Sequence, residues 1–266
     1  MDKIALGQYI PGDSFIHRMD PRSKLISAIW FIILIFMATT WWTYGLLIAV
    51  VLLSTVLSKI PLKFYLNSLK PLALLLFITV IFQLIFSQGE TVLFEFGWVN
   101  ITQEGLIAAI KIILRFVLIV MMSTILTLTT TPLEIADGIE SLLKPLKKLK
   151  VPVQEIALIL SISLRFVPTL MQETEKIMNA QRSRGVDFSS GNLIQRMKKV
   201  VPLLIPLFIS SIDRADQLAV AMTARGYRGG DSRTKLRQLT WSNLDTIVMI
   251  AFVFLTAILI ATRYLF

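Results

Sequence analysis

The chain has no cysteine and a single histidine, His17. Disulfides and thiolate nucleophiles are thereby excluded, and one imidazole cannot build the usual His/Cys metal centre. No Ser/His/Asp set and no H-E-x-x-H can be assembled. No G-x-x-x-x-G-K-[ST] occurs either. Gly7 and Gly12 have the spacing, but Asp13 stands where a phosphate-binding lysine is required. No catalytic residue, cofactor or metal is therefore assigned. Charge is scarce, at 17% of residues against about 25% in soluble domains. The apolar runs are read as free of Asp and Glu, the groups that couple protons or cations to movement across a bilayer. Their absence argues against a self-contained channel or secondary transporter. A membrane-embedded enzyme would need clustered catalytic residues, which are not found. No cleavable signal peptide is expected, because Asp2, Asp13, Arg18, Asp20 and Arg22 precede any apolar run.

What the chain does have is hydrocarbon-seeking surface. Of its 266 residues 55% are hydrophobic, which places it among integral membrane proteins. Its net charge of +10 is read through the tendency of Lys and Arg to collect in cytoplasmic loops, not as a nucleic-acid footprint.

Apolar runs fall at about 25–40, 43–58, 70–88, 105–129 and 245–264, near the length a spanning helix needs. Residues 39–44, Thr-Thr-Trp-Trp-Thr-Tyr, supply an interfacial aromatic belt. Two shorter runs, near 156–170 and 200–212, contain Pro168, Pro202, Pro206 and Arg165. If both crossed, Lys176, Arg182, Arg184, Arg196, Lys198 and Lys199 would face outside, against the positive-inside tendency. If neither crosses, every loop fits. Lys3, Arg18, Arg22 and Lys24, with the 59–70 loop carrying Lys59, Lys63 and Lys70, then lie inside. The 39–44 turn and the 87–104 loop lie outside without Lys or Arg, the latter with Glu90, Glu95 and Glu104.

The expected fold is thus all-α, with five spanning helices and long helices inserted between the fourth and fifth. Residues 1–130 form the N-terminal segment and four spans, 131–244 a cytoplasmic insertion with 17 Lys plus Arg, and 245–266 the last span. The N-terminus is expected in the cytoplasm, with Arg263 and the C-terminus outside. Two basic residues, Lys111 and Arg115, lie one turn apart inside a span. They are open to two readings, contact with a neighbouring membrane subunit or snorkelling to the interface.

Within the insertion, Thr131-Pro132-Leu133-Glu134 is a capping box opening a helix to about Leu143. Lys144–Pro152 reads as a basic connector broken by two prolines. A second helix runs from about Val153 to Arg184, with Ile156, Leu160, Ser163, Val167, Leu170 and Ile177 as its packing stripe. A third runs from about Leu193 to Arg225, its stripe being Phe208, Ile212, Ala215, Leu218 and Met222. Gly185 and Gly226 stop them.

These two helices end alike. Ala180-Gln-Arg-Ser-Arg-Gly185 and Ala221-Met-Thr-Ala-Arg-Gly226 share the pattern Ala-x-x-small-Arg-Gly, 41 residues apart. Arginine in a last turn favours the helix dipole and glycine caps it, so one such end needs no function to explain it. Two matched ends on adjacent long helices are read as paired docking points. A guanidinium offers a planar fork of donors to a partner's acidic side chains or carbonyls.

The chain resembles the transmembrane T component of energy-coupling factor transporters, a prokaryotic branch of the ABC importers. The resemblance rests on Ser183-Arg184-Gly185 and Ala224-Arg225-Gly226, which match that family's Ala-Arg-Gly pair with one Ser for Ala. His17 to Leu25, Ser163 to Pro168 and Ala221 to Tyr227 match as well. The resemblance implies that Arg184 and Arg225 each dock one of two cytosolic ATPases, and that the insertion carries their movement to a membrane-embedded, substrate-binding S component. It implies uptake of vitamins or other micronutrients across the cell membrane, with ATP hydrolysis belonging to the partners. Asp20 and Arg22 match the family pattern too. A Pro21 turn with locally paired charges is favoured over a coupling role for them.

Overall fold

The computed structural model describes residues 9–87, 91–96, 99–149, 152–188, 190, 192–227 and 239–265. Asp2, Lys3, Gly7 and Glu90 lie outside them. The described chain is almost wholly helical: α1 Pro21–Met37, α2 Trp41–Ser58, α3 Leu62–Phe86, α4 Gln103–Thr129, α5 Pro132–Leu143, α6 Val153–Ser183, α7 Leu193–Ala224 and α8 Asn243–Leu265. Two compact units result. One comprises the chain up to Leu142 together with the chain from Leu239, and the other is Leu143–Gln238.

In the first unit α4 packs against α1, α2 and α3, while α8 packs on α1. Phe31, Leu34 and Ile35 of α1 and Leu47 of α2 are fully buried. Outward-facing Leu, Ile and Phe cover much of α3 and α8, as expected of surface that meets hydrocarbon. The protein is an all-α integral membrane protein. Between α3 and α4, where sequence predicted only a loop, Val92–Phe96 (β1) and Val99–Thr102 (β2) pair as an antiparallel hairpin.

Among the described residues five helices are long and apolar enough to cross a bilayer: α2, α3, α4, α6 and α8. The number agrees with expectation, but the membership does not. The sequence reading counted α1 and left out α6. Helix α1 has 17 residues, about 25 Å at 1.5 Å per residue, short of the roughly 30 Å hydrocarbon core. Helix α6 has 31 residues. A second difference concerns the 59–70 loop. Only Lys59–Pro61 connect α2 to α3, and α3 runs from Leu62 through Pro71, so Lys63 and Lys70 are helical. The early start is held by Tyr65, whose hydroxyl lies 2.7 Å from Ser58 Oγ in a buried contact.

The helix ends carry the polar work. Asp20 caps α1, accepting from Arg22 N–H at 2.8 Å, and Arg22 Nη2 donates to Leu239 O at 3.0 Å. Arg22 Nε also lies 3.6 Å from Asp20 Oδ1, the local pairing expected around Pro21, while its contact with Leu239 is long-range. The carboxylate of Asp245 corrects the reading of carboxylate-free runs: it sits in the first turn of α8 with no solvent exposure. It accepts from Asp20 N–H at 2.9 Å, Ser23 Oγ at 2.5 Å, Ser242 N–H at 2.8 Å and Ser242 Oγ at 2.7 Å. Lys24 Nζ donates to Thr129 O at 3.0 Å and His17 O at 3.3 Å. The starts of α1 and α8 and the end of α4 are thereby tied at one end of the unit. Gly138 of α5 lies over the same start of α1, where an added Cβ would meet Leu25 Cδ1 at 2.8 Å.

The lone histidine is used in the turn before α1. Its Nε2 lies 3.0 Å from Ile10 O and its Nδ1 lies 2.6 Å from Ser14 Oγ. Beside it, the exposed Arg18 guanidinium hydrogen-bonds Asp13 and holds that carboxyl below the usual carboxylate range. At the other end of α1, Lys111 Nζ donates to Thr39 O at 2.7 Å and lies over the Trp41 ring. Arg115 donates to Tyr44 Oη at 3.3 Å and lies over Phe36. Both cations of α4 thus find partners within their own unit.

Replacing Asp245 by Ala leaves four donors without their acceptor. An expected loss of about 3 kcal/mol is read as a lowered thermal unfolding midpoint in detergent, with Asp245→Asn losing less. An unchanged midpoint for Asp245→Ala contradicts the role given to this carboxylate.

Candidate functional site

The capping box predicted for α5 is present. Thr131 N–H donates to Glu134 Oε2 at 3.0 Å, and Glu134 N–H to Thr131 Oγ1 at 3.3 Å. After α5, Lys144–Leu149 forms a short 3₁₀ turn where a connector was expected. The second unit then consists chiefly of α6 and α7.

These helices pack through Ile162, Phe166 and Leu170 of α6 and Ala215, Leu218 and Met222 of α7, around a shallow cavity of about 270 Å³. Leu170, Ala215, Leu218 and Met222 were predicted for this role. Ile156 and Leu160 on α6, and Phe208 and Ile212 on α7, turn outward and are 37–67% exposed. An ion pair borders the packed face. Arg214 Nη2 donates to Glu173 Oε2 at 2.6 Å, with both side chains about two-thirds covered. Sequence reading passed over this pair. The signal was available, since Glu173 and Arg214 are separated by the same 41 residues as the two Arg-Gly ends.

From that pair each helix runs on to its tip. Arg184 lies 11 residues past Glu173, and Arg225 lies 11 residues past Arg214. Each arm is therefore about 16 Å of helix. The two tips are built alike. Arg184 has φ −86° and ψ 8°, and Arg225 φ −85° and ψ 8°. Each is followed by a left-handed glycine, Gly185 at φ +86° and Gly226 at φ +77°. Gly185 N–H donates to Arg182 O at 2.9 Å and Val186 N–H to Gln181 O at 3.0 Å. At the other tip Gly226 N–H donates to Thr223 O and Tyr227 N–H to Met222 O, both at 2.9 Å. This double pattern is the Schellman motif, which satisfies the last carbonyls of a helix.

The glycines are needed for conformation and not for room, because a Cβ on either would meet nothing within 4 Å. Ser183, Arg184, Ala224 and Arg225 are all exposed. Neither Arg184 nor Arg225 has an ion pair or side-chain hydrogen bond among the described residues. The tips thus present fixed backbone, small flanking side chains and an unengaged guanidinium. The loop after the first tip is held by Lys199 of α7, whose ammonium donates to Asp187 O, Ser190 O and Ser190 Oγ at 2.6, 2.9 and 3.0 Å. Sequence reading counted Lys199 only as loop charge.

Fold and site define a class: a membrane-anchored subunit with a pair of like, cationic helix tips. The profile of the family described as Cobalt transport protein, CbiQ, matches residues 12–236. The energy-coupling factor transporter transmembrane protein EcfT of Lactococcus lactis subsp. cremoris (strain MG1363) is 55% identical over 260 residues, covering 98% of each chain. The EcfT of Streptococcus equi subsp. equi (strain 4047) is 57% identical over 255 residues, 96% of this chain and 95% of that one. The EcfT of Bacillus subtilis (strain 168) is 48% identical, over 99% of both. The chain belongs to this family and is the T subunit of an energy-coupling factor transporter, a coupling component of the membrane and not itself the ATPase.

Alanine at Gly185 or Gly226 forces a Cβ into the left-handed region at a cost of about 1–2 kcal/mol. Each substitution is expected to speed amide exchange in the last turn of its own helix, around Arg182 or Thr223, and to leave the other tip unchanged. Exchange identical to wild type at both ends contradicts the capping role.

Proposed function

We propose that Arg184 and Arg225, flanked by Ser183, Gly185, Ala224 and Gly226, each dock one of two cytosolic ATPases. Through α6 and α7 the subunit passes their ATP-driven movement to a membrane-embedded S component that binds a vitamin or other micronutrient for uptake. Hydrolysis belongs to the ATPases, in keeping with Asp13 standing where a P-loop lysine would be needed. The observation that carries this reading is the sameness of the two tips: matching backbone angles, matching Schellman bonds and two unengaged guanidinium groups at equal distances from one ion pair. Two like sockets on one rigid element suit two homologous or identical partners.

In this reading 1–130 hold four spans, 131–244 the cytoplasmic coupling region and 245–266 the last span. The N-terminus is cytoplasmic and the C-terminus outside. Helix α6 meets the length of a span, yet Glu155, Arg165, Glu173, Glu175, Lys176 and Arg182 are spread along it. Such residues are costly in hydrocarbon. Helix α1 is short, and a short span is accommodated by local thinning and by flanking anchors, here Trp41 and Trp42.

The double variant Arg184→Glu/Arg225→Glu is expected to insert normally and to lose copurification of both ATPases, with each single variant showing a partial, salt-sensitive loss. Normal binding by the double variant removes the docking role. A cysteine placed at Asp187 is expected to react with impermeant maleimide only from the cytoplasmic face. Reaction from outside reverses the proposed orientation.

A further inference from the structure

The first unit encloses a cavity of about 400 Å³ bounded by α1, α2, α4 and α8, within the size range of ligand sites. Its floor is α1 and α4, with Met122 and Ile125 among the lining side chains. Helix α2 packs on α4 and α8 on α1. Between them the apolar side chains of Leu53, Leu57, Phe254 and Ile258 line the cavity while remaining 37–66% exposed. The mouth therefore opens sideways, onto the same lipid-facing surface as the rest of these helices. Ile16 and Met19, just before α1, close the end nearest the start of that helix.

The walls are apolar apart from Ser54 and Thr129, whose hydroxyls bond carbonyls of their own helices, and two residues of α1. Lys24 and Ser27, one turn apart on α1, both line the cavity. Lys24 donates to two carbonyls, His17 O and Thr129 O, and an ammonium has three protons. Ser27 is 3% exposed, and its Oγ has no hydrogen-bond partner. Among the described residues Thr130 Oγ1 is the other buried hydroxyl without a partner, whereas many are engaged. Ser54, Thr55, Ser68, Thr129 and Thr256 each donate back to the carbonyl four residues earlier. A buried hydroxyl without a partner costs free energy, so this one points to a ligand oxygen.

We infer that this cavity is a site for one anionic membrane phospholipid. Its acyl chain lies between α2 and α8, and a phosphate or ester oxygen accepts from Ser27 Oγ–H and the third proton of Lys24. A single water bridging Ser27 and Lys24 has its two polar partners but leaves the apolar remainder of a cavity of about 400 Å³ unfilled, which an acyl chain occupies. Three carboxylates act on Lys24, those of Glu134, Asp245 and Asp20, and each is held by donors of its own, Glu134 in the capping box of α5. Asp245 already accepts four hydrogen bonds and Asp20 caps Arg22. The site is separate from the docking tips and does not rest on their role.

The test uses the full chain in phosphatidylethanolamine vesicles with a phosphatidylglycerol or a phosphatidylcholine probe carrying a diazirine on its acyl chain. Cross-linked peptides are mapped by mass spectrometry. The phosphatidylglycerol label is expected to concentrate on α2 near Leu53–Leu57 and on α8 near Ala251–Leu255, above the evenly exposed α3, and to exceed the phosphatidylcholine label there. Ser27→Ala removes no existing bond, so it is expected to fold normally and to lower the phosphatidylglycerol label about fivefold. Ala251→Trp fills the cavity from α8 and is expected to abolish cavity labelling by both probes while sparing α3. Label spread alike over α2, α3 and α8, equal labelling by the two probes, or no response to either substitution overturns the assignment. So does loss of the label on assembly with the membrane partner, which would make a partner helix the occupant.

Discussion

Hydrocarbon offers no hydrogen bonds, so every backbone group of a membrane-embedded chain must be satisfied by the chain itself. Helix interiors do this automatically, and helix ends do not. This protein concentrates its few polar side chains at those ends. Asp245, Ser23, Ser242, Asp20 and Lys24 knit the starts of α1 and α8 to the end of α4. Thr102 caps α4 by accepting from Gly105 N–H, and Thr131 with Glu134 caps α5. At the opposite end of α1, Lys111 takes up the carbonyl of Thr39. Remove these contacts and the remaining side-chain packing is largely Leu and Ile against surroundings as apolar as themselves, which holds helices together weakly.

The same problem is solved differently in the second unit. There α6 and α7 close with glycine in the left-handed region and backbone bonds alone. Because the backbone caps itself, no side chain is consumed in doing so, and the arginine beside each glycine is left free to reach outward. A stiff helix of about 16 Å then joins each arginine to the Glu173–Arg214 pair. That ion pair is partly covered and modest in energy. It lies at the crossing where Phe166 and Leu170 of α6 meet Ala215 and Leu218 of α7, 11 residues before each tip.

Much of this was legible in the chain because helix ends obey local rules. Thr131 to Glu134, Gly185 and Gly226 fell where capping chemistry predicts, and the repeated Arg-Gly marked two helix ends of matching geometry. Faces were harder. Apolar residues cover more than one side of α7, so the sequence pattern did not distinguish the exposed Phe208 and Ile212 from the packed Ala215, Leu218 and Met222. Asp245 was overlooked because a carboxylate at the edge of an apolar run looks like a boundary marker. Its four donors come from two segments more than 200 residues apart in sequence. The start of α3 was missed for a similar reason: Lys63, Lys70 and Pro71 read locally as a loop, whereas the buried Tyr65–Ser58 contact holds that turn in the helix.

The account turns on whether the two capped tips seat against the nucleotide-driven partners. A photo-reactive benzoyl-phenylalanine placed at Ser183 and, separately, at Ala224 in the assembled transporter tests this directly. The account predicts that each position cross-links to an ATP-binding subunit, at equivalent segments of the two ATPases. Cross-links from either position only to lipid, to the membrane partner or to this chain itself would contradict it.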